Sequence, residues 1–269
     1  MALPIACASP APRDALPDTG FPGTALSSRA PFAADAPRAG PAQAEPESSS
    51  PVASLRRVVV PGFEPALLFA PGGAAPRPLV LAAHGAGGGP EWECEYWRRL
   101  TRERAFVLCL SGTPLGGSYS GYYFRDHRAL EREWIAAEQA ARAAEPRILA
   151  GSGIYAGFSQ GATMGTALLA QHAAAFPYGV LIEGFMPWNV AGARQFVHAG
   201  GRRLLFACGS KECAAVAKTS VHWFEVAHAE ARLEYARGAG HTPAGVVMEQ
   251  IAAALPWLLE GDPEWHGGD

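Results

Sequence analysis

The chain has 269 residues, of which 49% are hydrophobic and 17% charged, with a formal net charge of −3. Such a composition can bury a substantial core, and the near-balanced charge, with no basic cluster interleaved with aromatics, speaks against nucleic acid as a partner. No run of 18 or more apolar residues occurs, so the sequence offers no membrane-spanning helix.

Residues 1–53 hold ten of the 23 prolines and show no alternating or helical apolar pattern. Proline with small polar residues keeps a chain extended and solvated, which marks this stretch as a disordered leader or tether. Its start, Met1-Ala2-Leu3-Pro4-Ile5-Ala6-Cys7, resembles the end of a bacterial lipoprotein signal peptide, although the charged and apolar parts of such a signal are missing. Either the signal is truncated or the likeness is accidental; export to the cell envelope is the expectation, with a lipid tether through Cys7 if the likeness holds, and the cytoplasm is the alternative. Five cysteines leave an odd thiol. With Cys7 set aside, Cys208 and Cys213 are close enough in sequence to close a small disulfide loop, whereas Cys109, inside Phe106-Val107-Leu108-Cys109-Leu110, reads as a core residue.

From Leu55 the chain alternates short β-prone runs with helix-length segments. The runs are Arg57 to Val60, Ala66 to Phe69, Leu79 to Ala83, Phe106 to Leu110, Gly153 to Ala156, Val180 to Ile182, Arg203 to Ala207 and Arg232 to Tyr235. The Pro61-Gly62 turn suits a hairpin between the first two, and the longer later connections suit parallel crossovers. Leu79-Val80-Leu81-Ala82-Ala83 is apolar throughout, as a strand covered on both faces must be. Apolar spacing predicts helices over 128–144 and 243–260. The reading is an α/β catalytic domain over 54–262, a doubly wound, mostly parallel eight-stranded sheet, followed by a short tail at 263–269. The segment Gly184 to Gly201 is too short for a large cap domain, so an open site is expected.

Chemistry concentrates at three points. Gly157-Phe158-Ser159-Gln160-Gly161 lies between a strand and a helix of small residues. About 0.2 such matches are expected by chance at this glycine and serine content, so the strand–turn–helix setting carries the signal. A sharp turn there exposes the Ser159 hydroxyl as a nucleophile. A serine needs an imidazole to take its proton and a third group to orient that imidazole. His241, in Gly238-Ala239-Gly240-His241-Thr242-Pro243 between the last strand and the closing helix, is the best placed of eight histidines. No aspartate occurs between Asp126 and Asp262, so a glutamate must serve as the acid. Glu212, on the loop after the seventh strand, is expected, with Glu183 at the end of the sixth as the alternative. The amides of Gln160 and of Ala86, the latter in His84-Gly85-Ala86-Gly87-Gly88-Gly89, are the expected oxyanion donors. That glycine loop lacks the Lys and Ser/Thr of a phosphate-binding loop. His222 and His228 stand six apart, off the spacing of a helical zinc pair, and neither a metal nor a cofactor is expected.

At these residues the chain resembles the α/β-hydrolase superfamily, and more narrowly the phospholipase/carboxylesterase group that includes acyl-protein thioesterases. The likeness rests on His84-Gly85-Ala86-Gly87 after a strand, on the Ser159 elbow with its glutamine, on Gly240-His241, and on the order Ser, acid, His. It implies hydrolysis of a small-molecule ester or thioester through an acyl-enzyme, with Ser159, Glu212 and His241 as triad. Two departures stand out: a glutamate where the group has aspartate, and the segment Ser111 to Arg128, rich in Tyr119, Tyr122, Tyr123 and Phe124. These aromatics, with Trp92, Trp97 and Trp188, either shape an apolar pocket or pack the core. A peptidase on the same fold and a catalytically inactive binding protein of the envelope are the competing readings.

Overall fold

The eight expected β-prone runs assemble into one sheet. The computed structural model describes residues 51–266. In it β1 (Ser54–Val58), β2 (Ala66–Ala70), β3 (Leu79–Ala83), β4 (Phe106–Cys109), β7 (Ile154–Phe158), β8 (Tyr178–Ile182), β9 (Arg203–Cys208) and β10 (Glu230–Tyr235) form a sheet of order β1-β2-β4-β3-β7-β8-β9-β10. The β1/β2 hairpin is antiparallel, as is the β2/β4 pairing, and all pairings from β4 to β10 are parallel.

Seven helices accompany the sheet among the described residues: α1 (Pro90–Leu100), α2 (His127–Ala144), α3 (Gln160–His172), α4 (Val190–His198), α5 (Lys211–Val226), α6 (Val246–Leu258) and α7 (Pro263–His266). The central strands alternate their apolar side chains between two cores. Leu79, Leu81 and Ala83 of β3 join Leu130 and Trp134 of α2, Leu168 of α3, Phe196 of α4 and Phe224 of α5 on one face. Val80 and Ala82 join Trp97 of α1 and Val247 and Ile251 of α6 on the other. A strand buried on both faces has no polar side, which is why Leu79–Ala83 reads as an uninterrupted apolar run. Trp134 stacks on Tyr155 at 4.8 Å, fixing α2 over the middle of the sheet.

Three features depart from the sequence reading. A second sheet, β5 (Thr113–Pro114) paired antiparallel with β6 (Tyr122–Tyr123), occupies the aromatic segment after β4. Two residues per strand are too short to leave a periodic signature. The expected tail begins instead with α7, which buries Trp265 and lets its indole N–H donate to Ser152 O at 2.8 Å. Cys109 is buried as expected but not a free thiol, being bonded to Cys94 of α1. Cys208 and Cys213, whose pairing the sequence left open, are joined by a disulfide. Among the described residues no helix is long and apolar enough to cross a membrane. Cys7 and the rest of the expected leader up to residue 50 lie outside the described residues.

Candidate active site

Ser159 follows β7 and caps α3 with φ 50° and ψ −107°, a backbone region that costs a non-glycine residue about 1–3 kcal/mol. Its surroundings enforce it. The Ser159 N–H donates to Ile182 O of β8 at 2.8 Å, and Thr163 returns both its N–H and its hydroxyl to Ser159 O at 2.9 Å. The flanking glycines are required by close approach: a Cβ on Gly157 would stand 2.6 Å from Ala162 N, and one on Gly161 would run into the Ala83 carbonyl. The turn is therefore as tight as the Gly-x-Ser-x-Gly pattern implies.

His241 lies on the loop after β10, and its Nε2 is 2.8 Å from Ser159 Oγ. That loop is anchored from the far side by Tyr96 of α1, whose hydroxyl donates to Pro243 O at 2.9 Å. The ring of Phe158 packs against the imidazole at 5.2 Å, and Trp92 meets Phe158 edge-on at 5.8 Å.

The carboxylate facing the other ring nitrogen belongs to Glu183, not Glu212. Glu183 Oε2 is 3.3 Å from His241 Nδ1, and the Glu183 side chain is 1% exposed. The residue leaves β8 at φ 51°, the turn that aims its side chain along the sheet's edge. Its Oε1 accepts the Gly209 N–H and, at 2.9 Å, the Ser210 N–H, while Oε2 accepts the Ser210 hydroxyl at 2.9 Å. Glu212, expected on that loop, instead sits in the first turn of α5, where its side chain projects into solvent, 74% exposed and 3.8 Å from Lys211. The loop after β9 thus supplies donors to the Glu183 carboxylate rather than a carboxylate of its own.

The glycine loop after β3 runs directly against Ser159: a Cβ on Gly85 would lie 3.0 Å from Ser159 Cβ. Ala86, the next residue, is exposed, and among the described residues neither the Ala86 nor the Gln160 amide donates to a protein acceptor. Gln160 opens α3, where the helix dipole and unpaired amides favour negative charge. The loop is held at its root by buried His84, whose ring nitrogens lie 2.7 Å from Gly85 O and 2.9 Å from Ser111 O. Burial holds the His84 pKa below the usual imidazole value.

The hairpin β5/β6, absent from the sequence reading, touches both the glycine loop and Gln160. Tyr122 O accepts the Gly87 N–H and Tyr122 N–H donates to Gly88 O, each at 2.8 Å. Phe124 N–H donates to the Gln160 side-chain oxygen at 2.8 Å. One short segment therefore grips the glycine loop at Tyr122 and the elbow at Phe124. Of the aromatics considered, Trp97, Trp188 and Phe124 are core residues, Trp92, Tyr122 and Tyr123 are half-buried, and Tyr119 is fully in solvent on the hairpin tip.

No protein-family model matches the chain, and no curated protein matches it by sequence. Solved structures do match in shape. A dienelactone hydrolase-like promiscuous phosphotriesterase from metagenomic libraries superposes with a TM-score of 0.58 at 17% identity, covering 76% of this chain and 95% of that one. The fluorophosphonate-binding serine hydrolase F of Staphylococcus aureus gives 0.57 at 10% identity over 78% and 98%. The acylaminoacyl peptidase of Pyrococcus horikoshii gives 0.55 at 12% identity over 77% of this chain, which spans only 40% of that longer protein. At such identities the likeness speaks to architecture alone. The sheet order, the elbow after β7 and these neighbours together establish that the chain has the α/β-hydrolase fold.

Proposed function

We propose that this protein is a serine hydrolase that cleaves carboxylic ester or thioester bonds through an acyl-enzyme. One observation carries the reading: a hydroxyl, an imidazole and a buried carboxylate in series, 2.8 Å from Ser159 Oγ to His241 Nε2 and 3.3 Å from His241 Nδ1 to Glu183 Oε2. That series is what proton transfer from a serine requires. In this scheme Ser159 Oγ attacks the carbonyl carbon as its proton passes to His241 Nε2. Glu183 faces the Nδ1–H and favours the tautomer that leaves Nε2 free to accept. The oxyanion is received by the Ala86 and Gln160 amides, and His241 then protonates the leaving alcohol or thiol. Water, activated by the same imidazole, releases the acyl group. Such amide donors are worth about 2.7–4 kcal/mol each in comparable sites.

The half-buried Trp92 and Phe158 beside His241 favour an apolar acyl or aryl group on a small-molecule ester. The two disulfides support a protein that works in an oxidising compartment, in keeping with export. The acylaminoacyl peptidase neighbour keeps peptide bonds as the competing substrate class.

Labelling with a fluorophosphonate probe, abolished by Ser159→Ala, is the direct test. Turnover of short-chain p-nitrophenyl esters without turnover of peptide anilides is the expected outcome. A chain that neither labels nor turns over any of these substrates would be a binding protein on a hydrolase scaffold.

A further inference from the structure

The buried Glu183 carboxylate has four hydrogen-bonding or charged neighbours, and three of them come from two consecutive residues. Gly209 N–H and Ser210 N–H reach Oε1, the Ser210 hydroxyl reaches Oε2, and only His241 comes from elsewhere. Both donor residues lie inside the loop closed by the Cys208–Cys213 disulfide. The sulfurs and the carboxylate lie within 4.8 Å of one another, so the covalent bridge and the acid are immediate neighbours.

The placement of the bridge gives it leverage. Cys208 is the last residue of β9 and Cys213 sits in the first turn of α5, so the disulfide pins a rigid strand end to a helix start across Gly209-Ser210. Ser210 is also the N-cap of α5: its Oγ accepts the Cys213 N–H at 3.3 Å while its hydroxyl donates to Glu183. A cap and a carboxylate are thus served by one side chain in one rotamer. Gly209 in turn packs on the base's loop, where a Cβ would stand 3.0 Å from Ala239 Cβ and 3.1 Å from Gly240 N. Acid and base are therefore both referred to this one loop.

We propose that the Cys208–Cys213 loop is a positioning clamp for Glu183, with Ser210 as its positioning residue and the disulfide as the lock that a thiol reductant can open. The proposal rests on the reading of Ser159, His241 and Glu183 as a hydrolytic series. Without the bridge, Gly209 regains the backbone freedom of glycine and the first turn of α5 loses its covalent tie to β9, keeping its cap and the Ala214 N–H bond to Ser210 O. The donors then spread over several positions, and the carboxylate with them.

Access makes the lock selective. Cys94, Cys109 and Cys208 are fully buried, while Cys213 is half-buried and is the most exposed residue of the two bridges. A thiolate of a dithiol reductant attacks Cys213 Sγ, the S–S bond breaks, and its electron pair goes to the Cys208 sulfur, which takes a proton. The second thiol of the reductant then attacks the mixed disulfide, leaving Cys213 as a thiol and the reductant as a cyclic disulfide. Two electrons and two protons have passed to the protein.

The test measures kcat and KM for a p-nitrophenyl ester on the full chain before and after treatment with a dithiol, with alkylation and peptide mapping to show that Cys208 and Cys213 are reduced and Cys94–Cys109 is intact. Ser210→Ala and reduction are each expected to lower kcat about tenfold with KM nearly unchanged, as loss of a hydrogen bond to a charged group does. Re-oxidation restores the first, and Ser210→Thr, which keeps the hydroxyl, retains most of kcat. In a Glu183→Gln background neither treatment lowers kcat by more than about twofold, since the group being positioned is gone. A merely structural loop would cost the same in both backgrounds, and that result overturns the clamp. So does mapped reduction of Cys208–Cys213 with kcat unchanged, a readout that stands even if Ser210→Ala does not fold. A chain with its disulfides intact that neither labels with fluorophosphonate nor turns over ester overturns the hydrolase reading underneath. A chain that does both yet ignores reduction overturns the clamp alone.

Discussion

On the nucleophile side of the site the backbone is fixed by glycines packed against other backbone, whereas on the acid–base side it is fixed by donors converging on one carboxylate. Gly157 and Gly161 permit approaches that any Cβ would block, and they do so wherever the chain carries them. Glu183 and His241 sit on separate loops after β8 and β10, and their meeting depends on Gly209, Ser210 and Tyr96, none adjacent to either in sequence. The first kind of order is backbone against backbone, from Ala162 within the turn to Ala83 of β3, and tolerates little substitution. The second is assembled from distant parts, and single changes should loosen it by degrees.

The sharpest break falls on the shared reacting groups. Ser159→Ala and His241→Ala should each lower kcat/KM for a p-nitrophenyl ester by about 10⁴- to 10⁶-fold, because neither attack nor proton transfer survives. Next comes the acid. Glu183→Gln should cost about 10³- to 10⁴-fold, since an amide can present an N–H to Nδ1 and hold the imidazole in the wrong tautomer. Glu212→Gln should stay within about twofold, as expected of a solvated surface charge. If the order of these two were reversed, the carboxylate at 3.3 Å would be a bystander and the proposed series would fail.

That pair also marks where the sequence stopped being readable. The elbow was legible because its glycines, strand and helix are consecutive, and His241 because its loop lies between a clear strand and a clear helix. Glu183 was visible only as an alternative to Glu212, because the feature that turns it toward His241 is a positive φ on a non-glycine residue, which no residue type announces. The loop after β9 carries a glutamate in the expected place, yet Ser210 starts a helix there and sends Glu212 outward. The Cys94–Cys109 bridge was hidden for a related reason: its two ends look like buried apolar positions on a helix and a strand, and only the packing of α1 on β4 brings them together. The main sheet was legible almost throughout, since apolar runs covered on both faces have no other reading.

A smaller effect tests the hairpin that joins the halves of the proposed oxyanion site. Gln160→Ala keeps the backbone amide of the elbow but removes the acceptor for Phe124 N–H. The glycine loop stays tied to Tyr122, so the hairpin keeps one grip and loses the other. The expected result is a fall in kcat of about five- to twentyfold with little change in KM, the signature of misplaced donors rather than lost binding. Gln160→Glu should do no better, because it sets a negative charge beside the place where the oxyanion forms. Unchanged kcat in Gln160→Ala would leave Tyr122 as the only strut.

The smallest effect lies off the site, in stability against pH. Glu93 of α1 is buried, one of its carboxyl oxygens has no hydrogen-bond partner among the described residues, and burial pushes its pKa from 4.5 up to about 8. Glu133 of α2, which accepts the Ser111 and Gly112 amides, is pushed by burial up to about 7. Below pH 4.5 both groups are protonated in the folded and the unfolded chain, and nothing is lost. Between that pH and the folded values the unfolded chain releases protons that the folded chain retains, so unfolding becomes easier as pH rises. Buried His84, held below its ordinary 6.5, works in the opposite sense up to that pH; the melting temperature should therefore decline most clearly from about pH 6.5 to pH 8, and Glu93→Gln, which cannot ionise, should flatten the decline and raise Tm at pH 8 by several degrees. At pH 4.5 the same variant should melt with the parent, to within about two degrees. The decline that remains below pH 7 belongs to Glu133, and Glu133→Gln, whose amide oxygen still accepts both N–H groups, should remove it and leave the opposite slope of His84 below pH 6.5. A Tm that falls with pH as steeply in Glu93→Gln as in the parent would mean that water or a rearranged helix reaches this carboxyl.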